Sequence, residues 1–225
     1  MTTALRLSLV LALAIEVAAA PREFNVALVG DSLAYGAGDE ERKGIAGRIV
    51  PELRTRGVEN VVTTNLARTG ATTRDLTTAL QNAKSRQAIE RADAIILSIG
   101  ANDIRSMLRG EEPLRSPLLV AGEVLGNMET IVADLRRINR DAHIVILGAY
   151  VPIADGRAAE ALEPLVAMWD VALMSRFEED ERVSVVRLSD IVNRPERLSR
   201  DDSFHPGGEA YQETARRIAG LLTNE

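Results

Sequence analysis

The sequence predicts an α/β protein, a three-layer α/β/α sandwich built on five parallel strands. Past residue 24, five short apolar runs alternate with helical stretches over short connections. The runs lack the period-two alternation of half-exposed strands, as expected of a parallel sheet covered on both faces. Strand–helix alternation with right-handed crossovers then gives helices on each side of the sheet. A chain of 225 residues suits one domain and buries a core without a disulfide or structural metal.

The elements follow in order. The first strand is NVALVG at 25–30, with a helix predicted over 45–56. NVVTTNL at 60–66 is the second strand, and 72–91 reads as one helix. The third strand is AIILSIG at 94–100. The helix over 116–139 is justified by Val124, Met128, Ile131 and Leu135, which recur at helical spacing. HIVILGA at 143–149 leads to a helix over 158–180, and VSVVRL at 183–188 to a last one over 206–223. No linker, low-complexity tract or internal repeat divides the chain.

Residues 1–20 stand apart. Arg6 precedes an apolar run from Leu7 to Ile15, and small residues follow before Pro21. This is the layout of a secretory signal peptide, with Val17 and Ala19 placed for cleavage after Ala19. The run is too short to span a membrane. The expectation is a mature domain over 21–225, exported to the periplasm or beyond. If the segment instead packs as a helix on the domain, the protein is cytoplasmic.

Composition narrows the chemistry. With 27 basic against 33 acidic side chains and a net charge of −6, a nucleic-acid partner is disfavoured. The absence of Cys excludes thiol nucleophiles, disulfides and thiolate zinc sites. His143 and His205 are the only imidazoles, too few for a multi-histidine metal centre. No cofactor, metal or obligate protein partner is expected. Serine, carboxylate and histidine chemistry remains.

That chemistry belongs where strands end, since ligands of open α/β sheets bind at the carboxyl edge. The first strand runs into Gly30-Asp31-Ser32-Leu33, and the second into Asn65-Leu66-Ala67-Arg68-Thr69-Gly70. Gly100-Ala101-Asn102-Asp103 follows the third; Asp202-Ser203-Phe204-His205-Pro206 follows the fifth. Each tetrapeptide alone is weak, and Gly-x-Asn-Asp is also ordinary turn chemistry. Four such elements in this order at strand ends form a pattern.

On these residues, GDSL at 30–33, NLARTG at 65–70, GAND at 100–103 and DSFHP at 202–206, the sequence resembles the SGNH (GDSL-type) hydrolases. The likeness spans residues 25 to about 222 and is greatest to bacterial lipase/acylhydrolase and lysophospholipase-like members. It implies a flavodoxin-like sheet and a serine esterase. It also implies Ser32 as nucleophile, with Asp202 and His205 completing a triad. Gly70 and Asn102 are implied as oxyanion-hole donors.

The chemistry of these residue types agrees. Attack on an ester carbonyl needs a hydroxyl beside a base, and that base held in one tautomer by a third group. Ser32 sits just past a strand end where Gly30 permits a tight turn. Asp202 or Asp201 could orient His205, and the spacing favours Asp202. Amide N–H groups of Ser32 and Gly70 and the Asn102 side chain are placed to meet a developing oxyanion. A side chain at position 70 is expected to crowd that approach.

Other residues have plainer readings. Asp31, Asp103 and His143 read as structural. The Tyr35–Gly38 loop lacks a dinucleotide pattern, since Glu41 stands where a third glycine belongs and Asp39 and Glu40 adjoin it. Arg68, Arg105, Arg109 and Arg115 are candidates for an anionic head group, or simply a solvated surface. Met107, Leu108, Tyr150, Val151 and Ile153 are candidates for an acyl-chain wall or for core. The expected function is hydrolysis of carboxylic esters or thioesters of small or lipid-derived acyl groups, with a small-molecule ester as substrate. Alternatives are a carbohydrate O-acetylesterase, and an acyltransferase or binding protein on the same fold.

Overall fold

Strands β1 (Phe24–Gly30), β2 (Val61–Asn65), β3 (Ala94–Ser98), β4 (His143–Leu147) and β5 (Val183–Val186) form one all-parallel sheet, ordered β2-β1-β3-β4-β5. The computed structural model describes residues 22–108, 116–152 and 157–224. The signal-like segment at 1–20, Arg109, Arg115 and Ile153 lie outside them. The flavodoxin-like order implied by the resemblance is the one observed. Strand order reverses at β1 and β3, so their carboxyl ends flank the crevice where such sheets bind ligands.

Helices cover both faces. On one side, α1 (Ser32–Tyr35), α2 (Gly44–Thr55) and α8 (Gly208–Thr223) pack on Val26, Leu28, Ile96 and Val145, with Ile49, Leu53, Tyr211 and Ile218 buried between. On the other lie α3 (Thr73–Ala79), α4 (Ala83–Glu90), α5 (Ala101–Leu108), α6 (Pro117–Ile138) and α7 (Arg157–Phe177). Ala27, Val29, Ile95 and Leu97 face this second layer. Neighbouring residues of one strand thus enter different cores, which is why the strands show no polar alternation. Val124, Met128, Ile131 and Leu135 are all buried on α6, as their spacing predicts. Among the described residues no helix is long and apolar enough to cross a membrane.

Packing sets the local structure at three places. The single helix expected over 72–91 is two, because Leu80 is buried as an anchor and Asn82 caps α4 by accepting from the Lys84 N–H at 2.8 Å. The segment after β3 is not a plain turn. Gly100 takes φ +110°, where a Cβ would fall 2.5 Å from Val124 Cγ1, and the chain then coils directly into α5. The four residues of α1 follow directly on the tight turn at Gly30. Asp31 caps them by accepting from the Leu33 N–H at 3.1 Å, and Gly36 closes them in the left-handed region.

Candidate active site

The site is assembled at the carboxyl ends of β2, β1 and β3 and on the loop before α8. β1 reaches Gly30 at φ +119°, and a Cβ there would lie 1.8 Å from the Ser98 carbonyl oxygen. Only glycine allows β1 to lie this close to β3 and then turn sharply. The turn places Ser32 as the first residue of α1.

The loop bearing the imidazole is closed by its own backbone. Leu198 and Pro206 form an antiparallel bridge, so Pro206 is an extended exit rather than a helix start. Ser199 N–H donates to the His205 carbonyl at 2.7 Å, and Ser203 N–H to the Ser199 carbonyl at 2.8 Å. Asp202 Oδ1 accepts from the Phe204 and His205 backbone N–H groups, each at 2.9 Å. Its Oδ2 lies 2.6 Å from His205 Nδ1, and His205 Nε2 lies 3.0 Å from Ser32 Oγ. A histidine donating from Nδ1 to the carboxylate leaves Nε2 to accept from the serine hydroxyl. Burial pushes the Asp202 carboxyl up, but the hydrogen bonds from His205 and Phe204 outweigh it and hold it below its ordinary range. Of the two adjacent aspartates, Asp202 is the one in contact with the ring. Asp201 is exposed, and its N–H donates to Ser199 Oγ at 3.1 Å.

Gly70 and Asn102 sit at neighbouring strand ends. The Asn102 side-chain amide donates to the Ala71 carbonyl at 3.0 Å, tying α5 to the residue beside Gly70. One of its two N–H groups is used there, and among the described residues the other has no acceptor. Among the described residues, the Ser32 and Gly70 amide N–H groups have no acceptor. Glycine at 70 has a conformational reason beside the expected one of access to its amide. A Cβ there would meet nothing within 4 Å, and φ is +79°. Conformation demands the glycine.

Supporting residues divide into those legible in sequence and those missed. Asp103 is structural, as expected: it accepts from Thr73 N–H at 3.0 Å and Thr73 Oγ1 at 2.6 Å at the start of α3. His143 opens β4, at the opposite end of the sheet from Ser32, and bonds Ser184 Oγ at 2.8 Å. Tyr150 is a strut more than a wall. It packs against the α2/α8 core and donates to the Phe204 carbonyl at 3.0 Å. The acidic loop after α1 holds the histidine loop in place. Glu40 accepts from Arg200 N–H and Gly208 N–H, both at 3.1 Å, on either side of His205. Asp39 and Arg48 form a buried ion pair at 2.7 Å beneath it. A Cβ on Gly38, at φ +83°, would fall 2.5 Å from His205 Cβ. Nothing in the local sequence marks Glu40, because its partners are backbone groups 160 residues away or more.

Asp31, beside Ser32, has its own electrostatic consequence. Burial raises its carboxyl to about 6, against hydrogen bonds from Ser98 Oγ at 2.8 Å and Leu33 N–H. The folded value lies above the unfolded value of 3.8. The stability it contributes is therefore complete below about pH 4 and is lost as pH rises through about 6. Asparagine keeps an oxygen for both donors and carries no charge. Asp31→Asn is expected to raise the thermal unfolding midpoint relative to wild type at pH 8, by the equivalent of roughly 1–3 kcal/mol. The gap should shrink toward zero at pH 4 in paired calorimetric scans. A gap equal at both pH values would place the effect in packing instead.

Comparison with known proteins is consistent along most of the chain. Residues 28–213 match the GDSL-like Lipase/Acylhydrolase family. The uncharacterized protein YpmR of Bacillus subtilis is 27% identical over 211 residues, covering 89% of this chain and 82% of that one. Among solved structures, the lipase Lip_vut3 from a goat rumen metagenome superposes with a TM-score of 0.74 at 21% identity, covering 88% of this chain and 98% of the other. Axe2, an acetylxylan esterase of Geobacillus stearothermophilus, gives 0.67 at 15% identity, covering 88% and 94%. A lipase/acylhydrolase of Enterococcus faecalis gives 0.63 at 18% identity, covering 89% and 96%. At these identities the structural likenesses speak to the fold.

Proposed function

The chain belongs to the GDSL-like lipase/acylhydrolase family, and from that premise we propose that it is a serine hydrolase cleaving carboxylic esters or thioesters of small or lipid-derived acyl groups. The observation that carries this reading is the unbroken hydrogen-bonded line from Asp202 through His205 to Ser32 Oγ, at 2.6 and 3.0 Å. Ser32 Oγ attacks the acyl carbonyl while its proton passes to His205 Nε2. Asp202 holds the ring and stabilises the imidazolium. The tetrahedral oxyanion is met by the Ser32 and Gly70 amides and the remaining Asn102 N–H. Its collapse breaks the bond to the alcohol or thiol, which leaves with the proton from His205, and an acyl ester remains on Ser32. Water, deprotonated by the same nitrogen, repeats the sequence and frees the acid.

A fluorophosphonate probe should label the wild-type protein at Ser32 and leave Ser32→Ala unlabelled. Absence of labelling in wild type would instead favour a binding protein on this fold. A panel of p-nitrophenyl esters of increasing chain length, with an O-acetylated sugar and a lysophospholipid, then assigns the acyl group. Turnover confined to the acetylated sugar would move the assignment to a carbohydrate O-acetylesterase.

A further inference from the structure

Arg105 is exposed at the edge of the site but is not loose. Its Cζ lies 5.1 Å from the centre of the Phe204 ring. That ring in turn meets the His205 imidazole edge-on, 5.0 Å away and at 84°. Arg105 also stands three residues beyond Asn102 on α5, so both side chains lie along one face of the helix. Among the described residues no carboxylate lies within ion-pair distance of Arg105. Arg68, on the neighbouring loop, is tied to Asp75 at 2.9 Å. Asp202, the carboxylate that holds His205, is already matched by the ring and two backbone N–H groups.

We propose that Arg105 is a specificity-determining residue that binds an anionic group, phosphate or carboxylate, carried by the substrate a few bonds from the scissile carbonyl. This rests on the serine-hydrolase reading of the same site. A guanidinium already stacked on an aromatic face loses little freedom on binding, and its planar fork matches two oxygens of either anion. It is linked to the imidazole through the Phe204 ring, and the oxyanion is already given the Ser32, Gly70 and Asn102 donors. Its work is therefore in choosing the substrate, not in stabilising the oxyanion.

The test uses one acetyl-phenyl ester scaffold bearing a para carboxylate, phosphate, methyl ester or trimethylammonium group. A second pair of arms separates the sources of the anion: an acylglycerol phosphate against its neutral acylglycerol, and an O-acetylated uronic acid against the neutral sugar. For wild type, kcat/KM is expected to favour the anionic over the neutral scaffold about fivefold to tenfold, mainly through KM. The preference should weaken as salt is added. Arg105→Ala should bring the ratio close to one, Arg105→Lys should keep part of it, and Arg105→Glu should favour the cationic ester. An anion preference that survives Arg105→Ala, or a loss equal on all four esters, overturns the proposal while leaving the hydrolase intact. Failure of wild type to cleave any ester overturns the hydrolase reading, and this proposal with it.

Discussion

Ser32→Ala is expected to lower kcat for any ester substrate by about 10⁴-fold or more, with the unfolding midpoint close to wild type. Among the described residues the hydroxyl has one side-chain partner, His205 Nε2 at 3.0 Å, and Ser32 is half-buried at the start of a four-residue helix. Its removal takes away the proposed nucleophile and little packing. His205→Ala should be comparably damaging, because among the described residues the imidazole is the only base in contact with Oγ. The double variant should be no worse than either single one, since members of such a unit fail together. Steady-state kinetics on the three proteins, with a melting curve for each, decides the matter. Residual turnover above about a hundredth of wild type in Ser32→Ala would mean another group attacks the ester.

The second large effect is expected at the proposed oxyanion hole. Asn102→Ala should reduce kcat by roughly 10²–10³-fold with little change in KM, the usual loss for one donor aimed at developing charge. The Asn102 amide is held by the Ala71 carbonyl at 3.0 Å, so its second N–H is fixed before substrate arrives. Asn102→Asp should be worse still. It removes both donors and sets a carboxylate against the Ala71 carbonyl and the oxyanion. A raised KM with unchanged kcat would make Asn102 a ground-state binding residue.

Much of the site was legible because its residues announce themselves in short segments at strand ends. Gly30–Leu33, Gly100–Asp103 and Asp202–Pro206 each combine a conformational requirement with a reactive side chain inside four or five residues. The supports were not legible. Glu40 holds the His205 loop through backbone N–H groups of Arg200 and Gly208, and backbone donors carry no sequence identity. Tyr150, a candidate for the acyl wall, is committed to the core and to the Phe204 carbonyl.

The order of apolar runs determined the layered α/β architecture, because strands buried on both faces and amphipathic helices are properties of contiguous residues. The short segments at strand ends also singled out Ser32, His205 and Asp202 as a candidate triad, spacing favouring Asp202 over Asp201. Tertiary structure decided what depends on packing across the chain. It set the break at Leu80–Asn82, where a buried leucine and a new cap outweigh continued helix, and the coiling of Gly-Ala-Asn-Asp into α5 beneath Val124. It showed that Gly70 is needed for its positive φ with open space around it. It also stacked Arg105 on Phe204 beside His205, joining residues 99 or more positions apart in sequence. Contacts of that range arise only when the helix after β3 and the loop before α8 converge on one edge of the sheet.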